Sequence, residues 1–127
     1  MMKKVLLVDE SRSIRTTYAE VVRQAGFSPE AVANAKEALH YIVEHGTPDL
    51  IITEINLPGL SGLEFCRRVR SVCKNTPILI ISTQSSKEQI AEAKLVGIQG
   101  WLLKPVQPEL LLNKLQTLFN PAQAVTG

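Results

Sequence analysis

A chain of 127 residues suits one domain with one buried core, and 45% hydrophobic with 20% charged residues describes a globular protein rather than a disordered one. A formal charge of +2 and a pI near 8.6 do not argue for nucleic acid without a basic patch, and "CRRVR" at 66–70 is short enough to be a solvated helix face. No apolar run reaches the ~18 residues of a membrane span, and "MMKKVLLVDE" breaks at Asp9 before the ~7 apolar residues of a secretory signal, so a cytoplasmic protein without membrane contact is expected.

The first apolar run, "VLLV" (5–8), does not alternate, as suits a strand buried on both faces of a parallel sheet. Ile14, Tyr18, Val21, Val22 and Ala25 then repeat at helical spacing. A strand is needed at "SPEAV" (28–32), and Pro29 assigns it to an edge. Ala35, Ala38, Leu39, Ile42 and Val43 form a second helical stripe. "LII" (50–52) is the third strand, and Phe65, Val69, Val72 and Cys73 make the third helical stripe. "ILII" (78–81) is followed by a weaker helix over 86–96, carried by Ile90, Ala93 and Val96. "WLL" (101–103) is the last strand, and Leu111, Leu115, Leu118 and Phe119 mark the last helix. Gly26, Gly46 and Gly97 stand where three of these helices want a left-handed cap. Periodicity is lost in "NPAQAVTG" (120–127), and Pro121 stops the last helix, so 1–120 is read as the domain and 121–127 as a tail or the start of a linker.

Strand and helix alternate five times, which predicts an α/β, doubly wound parallel sheet. Cys66 and Cys73 fall seven apart on one helix, about 10 Å along its axis. A disulfide spans no more than ~7 Å between Cα atoms, so both are expected as free thiols in or near the core. His40 and His45 lie away from them and suggest no metal site.

Function in such a sheet gathers beyond the C-terminal ends of the strands. The residues met there are Asp9 and Glu10 after the first strand, Glu54 after the third, Ser82 and Thr83 after the fourth, and Lys104 with Pro105 after the fifth. Any one alone is a helix cap or a solvated charge. Together they put three carboxylates, a hydroxyl and an ammonium on one rim. Carboxylates at close quarters raise one another's pKa unless a cation intervenes. Lys104 supplies one positive charge, and a hard divalent ion such as Mg²⁺ would supply more through oxygen ligands. The set suits a phosphoryl group held between metal and lysine.

The motifs "VLLVDES", "DLIITEINLPGLSG", "PILIIST" and "WLLKP" resemble the receiver domain of two-component response regulators, over residues 3 to about 119. The resemblance implies the flavodoxin-like receiver fold: five parallel strands in order 2-1-3-4-5 with five helices. It implies Mg²⁺ held by Asp9, Glu10, the acceptor position Glu54 and the backbone carbonyl of Asn56, though binding here is expected to be weak or absent. It implies phosphoryl contacts from Ser82 and Lys104, and makes Lys104–Pro105 a peptide to check for the cis form. It places a signalling surface on the fourth helix, fifth strand and fifth helix, with Trp101 either packed in or turned out as an anchor between Lys87 and Lys94. The implied partners are a histidine kinase, an output domain or an adaptor target, met as a monomer or weak dimer.

One position departs from the family. Its phosphoacceptor is an aspartate, and Glu54 stands in that place here. Glutamate sets its carboxylate one C–C bond, ~1.5 Å, further out, and a ~1 Å misplacement already costs about 100-fold in an in-line transfer. Three readings follow. Glu54 imitates the phosphorylated state, with about −1 charge against roughly −2; or it marks a silent switch; or it is a working acceptor, natural or substituted for aspartate, in a receiver that serves a DNA-binding output domain. Thr53 and Thr83 are nearby hydroxyls without an evident kinase motif. A flavodoxin-like redox protein is the distant alternative, but "DESRSIR" has no glycine for a phosphate loop. An aspartyl-nucleophile phosphatase would need a second aspartate where Ser11 stands. A non-enzymatic adaptor is expected.

Overall fold

The computed structural model describes residues 2–119. Ten elements alternate along the chain: β1 (Lys4–Val8), α1 (Arg12–Gln24), β2 (Ser28–Val32), α2 (Ala35–His45), β3 (Leu50–Thr53), α3 (Gly62–Val72), β4 (Ile78–Ser82), α4 (Lys87–Val96), β5 (Gly100–Leu103) and α5 (Pro108–Phe119). The five strands form one sheet in the order β2-β1-β3-β4-β5, and every pairing is parallel. The proline-bearing β2 lies at an edge, as its composition requires. The tail at 121–127 and the stop at Pro121 lie outside the described residues.

The unalternating strands are explained by two cores, one on each face of the sheet. Leu6, Val8, Ile51, Ile78 and Ile80 pack with Ala35, Ala38, Ile42, Phe65, Cys66 and Val69 from α2 and α3, and with Ala93 from α4. The residues between them, Val5, Leu7, Leu50, Ile52, Leu79 and Ile81, pack with Tyr18, Val21 and Val22 of α1 and Leu111 and Leu115 of α5. Successive strand side chains point to opposite faces, so a strand covered on both sides is apolar throughout. Cys66 and Cys73 are free and buried. Ser11, Asn34, Ser61 and Ser86 each cap a helix by accepting an amide three residues on. At the far end of the fold Phe119 of α5 packs on Phe27, ring centroids 4.5 Å apart, and Lys3 Nζ lies 5.5 Å over the Phe119 ring.

Several expected core residues are not there. Val43 and Val72 are 83% and 66% exposed, because each sits one position off the face its helix turns to the sheet. Leu103 is 51% exposed and Leu102 half-buried, while Trp101 packs partly against the core, so the strand's buried share is Trp101's as much as its leucines'. In α4 only Ala93 is buried. Gly26, Gly46 and Gly97 all have positive φ; Gly26 and Gly97 close their helices with the same pair of bonds, Gly26 N–H to Arg23 O with Phe27 N–H to Val22 O, and Gly97 N–H to Lys94 O with Ile98 N–H to Ala93 O, whereas Gly46 has ψ −176°, which is extended.

Candidate functional site

The strand register brings the C-terminal ends of β1, β3, β4 and β5 to one rim. Glu54 N–H donates to Val8 O at 3.0 Å and Lys104 N–H to Ser82 O at 2.8 Å, so the backbone ladder fixes where each functional side chain begins. The Lys104–Pro105 peptide is cis. Lys104 Nζ donates to Asp9 Oδ2 at 2.7 Å and to Glu54 Oε1 at 3.0 Å, one ammonium shared by two carboxylates from different strands. Asp9 and Glu54 are buried. Burial alone draws the Lys104 ammonium down, but the hydrogen bonds to Asp9 and Glu54 and the charges they carry outweigh it, and its pKa is held above the ordinary lysine value.

Glu54 does not extend outward as its added length suggests. It folds back over the loop it begins: Oε2 accepts the amides of Ile55 and of Asn56, the latter at 3.3 Å, while Oε1 takes Lys104. Asp9 is similarly occupied, with Oδ1 accepting the Ser11 amide at 2.9 Å. Glu10 is exposed, and its carbonyl and that of Asp9 both receive Arg15 Nη1. Asn56 is exposed. The acidic side chains do not form a three-ligand metal group among the described residues; the cation that neutralises two of them is Lys104. As placed, both oxygens of Asp9 and both of Glu54 are taken by Lys104 and by the Ser11, Ile55 and Asn56 amides, so Mg²⁺ would have to displace some of these donors to be held by the two carboxylates, and no step below is routed through it.

Ser82 is fully buried and does not turn to Glu54; its Oγ accepts the Gln84 amide at 3.1 Å. Trp101 Nε1–H donates to the carbonyl of that same residue, Gln84, at 2.9 Å. A single residue of the β4–α4 loop is therefore held from both sides, by the hydroxyl beside the acidic cluster and by the indole of β5. Thr53 is buried with its hydroxyl on Glu54 O, whereas Thr83 is exposed. Lys87 and Lys94 are exposed at the two ends of α4.

The structure adds residues that sequence reading passed over. Gln84 acts through its backbone, so its side chain carries no signal. Tyr18 was legible only as a core residue, yet it is close enough to the cluster for Lys104, Asp9 and Glu54 to act on its phenol; burial is the larger influence and raises its pKa. Gly62 opens α3 against the Glu54–Ile55 backbone: a Cβ there would lie 2.5 Å from Ile55 Cα and 2.7 Å from Glu54 O.

A parallel 2-1-3-4-5 sheet with an acid–lysine cluster at its strand ends defines a receiver of the two-component kind. The response regulator receiver domain profile matches residues 5–116, and the chain belongs to that family. It is 29% identical over 118 residues to chemotaxis protein CheY of Pseudomonas aeruginosa, spanning 91% of this chain and 95% of that one. It is 30% identical to response regulator MprA of Mycolicibacterium vanbaalenii, over 94% of this chain but 51% of MprA, so it spans about half of that relative. Among solved structures, Vibrio cholerae CheY4 superposes with a TM-score of 0.86 at 42% identity, covering 93% of this chain and 99% of CheY4. A CheY-like receiver of Methanospirillum hungatei shares the fold at TM-score 0.88 and 24% identity.

Proposed function

We propose that this chain is a receiver whose phosphoacceptor position carries a resident carboxylate, Glu54, and which signals by protein–protein contact rather than by accepting a phosphoryl group. The observation that carries the reading is the bonding of that carboxylate to Lys104 Nζ at 3.0 Å and to two loop amides. In-line attack requires the nucleophile within ~3–3.5 Å of its target with its orbital aligned. A carboxylate held by three donors is poorly placed for that. It is well placed to stand as a permanent anion against Lys104, where the family would have a phosphoryl group contacted by Ser82 and Lys104. Trp101 tied to Gln84 then belongs to the state so imposed, and Trp101 with Lys87 and Lys94 forms the face offered to a partner. Two exposed lysines on α4 and the indole of β5 favour an acidic protein surface.

A second reading, a silent switch on a receiver-shaped adaptor, is favoured by Ser82, whose hydroxyl stays on the Gln84 amide. Both readings place the protein in the cytoplasm with histidine kinases, output domains or adaptor targets as its company, and neither makes it an enzyme. Both take 1–120 as the receiver and 121–127 as a tail or linker. Among the described residues no helix is long and apolar enough to cross a membrane.

Acetyl phosphate with Mg²⁺ is expected to leave the intact mass unchanged, and Glu54→Asp to restore a phosphoryl adduct. A robust adduct on the unaltered protein would overturn both readings. Glu54→Gln separates them, because a ligand-like anion acts only by favouring one state over another. Loss of partner affinity with a change in Trp101 fluorescence supports the resident anion; an unchanged protein supports the silent switch.

A further inference from the structure

We infer that Arg70 is a positioning residue that pins the C-terminal end of α4 and makes that helix a lever, fixed near Gly97 and yielding at its Ser86 end. The helix has little seating of its own. Of its residues only Ala93 is buried, and Leu95 is 89% exposed. Helical stability in proteins comes mostly from packing of an apolar face, and the tie to the middle of α4, Arg67 Nη2 to Glu92 Oε2 at 3.0 Å, is an exposed ion pair that adds little, so a helix this lightly packed depends chiefly on what holds its two ends.

The ends are held unequally. At the C-terminal end Arg70 Nε donates to Val96 O at 3.2 Å and Nη2 to Gly97 O at 3.0 Å. The same guanidinium, through Nη1, reaches Cys73 O at 3.0 Å, Lys74 O at 3.1 Å and Thr76 O at 2.8 Å. One half-buried side chain thus joins the last carbonyls of α4 to the end of α3 and the loop that leads into β4. Physical chemistry favours that place for a guanidinium. Terminal helix carbonyls lack intrahelical donors, and two helix C-termini bring two partial negative charges to one point. A planar fork with five N–H donors serves several of them at once. Gln99 fastens the segment further: its side chain accepts the Ile78 amide at 2.8 Å, and its own amide donates to Ile78 O at 3.0 Å.

At the N-terminal end the tie is slighter. Ser86 caps its own helix through the Gln89 amide at 3.0 Å. The loop before it is held at Gln84 by one bond to Ser82 and one to Trp101, the latter exposed. A change at Ser82 or Trp101 therefore releases the Lys87 end of α4 while Arg70 keeps the Lys94 end in place. The pivot itself follows from the bonding. Its consequence for a partner, a face altered at Lys87 and constant at Lys94, rests on the receiver reading.

Amide exchange followed by NMR on the full chain tests the pivot without any partner. In the unaltered protein the amides of Val96, Gly97 and Ile98 are expected to exchange about tenfold more slowly than those of Ile90 and Ala91. Arg70→Lys keeps the charge, but one ammonium cannot span both sets of carbonyls. It is expected to speed exchange at 96–98 by about tenfold and to leave β4 protected. Trp101→Phe removes the indole donor and is expected to speed exchange at 90–91 alone. A flat or reversed gradient in the unaltered protein, unchanged exchange at 96–98 in Arg70→Lys, or exchange at 90–91 unmoved by Trp101→Phe, overturns the pivot. If Arg70→Lys fails to fold, the gradient and Trp101→Phe decide. A failed partner assay with the gradient intact would count against the receiver reading only.

Discussion

Gly62→Ala sets two effects of opposite sign against each other. Gly62 is the first residue of α3 and does not have positive φ. Helix propensity by itself favours alanine there by up to ~1 kcal/mol. Sterics oppose it. The added Cβ would lie 2.5 Å from Ile55 Cα, 2.6 Å from Ile55 O and 2.7 Å from Glu54 O, all backbone atoms that no rotamer change can move aside. Reaching the ordinary contact distance of 3.4 Å requires a displacement of about 0.9 Å. The Gly62 N–H bond to Ile55 O at 2.8 Å resists it. Overpacking of this kind costs about 1–3 kcal/mol, and losing the hydrogen bond adds about 1 kcal/mol. Sterics win, and the expected net loss is about 1–3 kcal/mol after the propensity gain. The same displacement passes into the Glu54–Ile55 backbone and should weaken the Lys104–Glu54 bond. Urea denaturation measures the first effect, and the Lys104 side-chain resonances the second. A loss below about 0.5 kcal/mol, or unmoved Lys104 resonances, would refute the argument that α3 is seated against the acidic loop.

Three further outcomes are expected. Lys104 is held above its ordinary pKa, Tyr18 is raised chiefly by burial, and Cys66 is pushed up to about 12, also chiefly by burial. Each keeps its proton in the folded chain at a pH where the unfolded chain gives it up, so stability should fall as pH rises from about 9 towards 12; an equal or higher urea midpoint at about pH 10.5 than at about pH 7.5 would contradict this. Lys104→Met leaves Asp9 and Glu54 facing each other without a cation and should cost about 3 kcal/mol, near the low end for a buried pair broken on one side; a loss near zero would show the pair to be effectively solvated. Cys66 and Cys73 are 0% and 3% exposed, so Ellman's reagent should label neither in the native protein and both in urea, and rapid native labelling would place them at an accessible surface.

The architecture was readable because the runs inside β1, β3 and β4 are apolar without alternation, a pattern that suits a sheet covered on both faces, while Pro29 marked β2 as an edge. "VLLV" and "ILII" became β1 and β4 with one residue added to each. Helix stripes were read one position too wide where two apolar residues adjoin. Ile42 faces the core while Val43, a further 100° around the helix, faces solvent. At the site, strand order told which residues would meet, and Asp9, Glu54 and Lys104 do meet. Their bonding was not legible. Whether Glu54 reaches outward or folds onto the Ile55 and Asn56 amides depends on loop geometry that residue types do not encode. The partner of Ser82 is a backbone amide at Gln84, which no side chain announces.

The packing of Phe119 on Phe27, with Lys3 above the Phe119 ring, brings the first described residues beside the end of α5. Both ends of the fold therefore sit at the rim where the strands begin, opposite the Asp9–Glu54–Lys104 cluster. Folds whose ends adjoin tolerate circular permutation. A short Gly/Ser bridge joining the ends, with new termini opened in the exposed Pro58–Gly59 stretch, would free the acidic loop from α3 in sequence while leaving every strand pairing intact. For the same reason a fluorophore or surface tether attached at Lys3 lies away from the acidic rim, and protein immobilised there would present that rim and the Lys87 end of α4 to solvent.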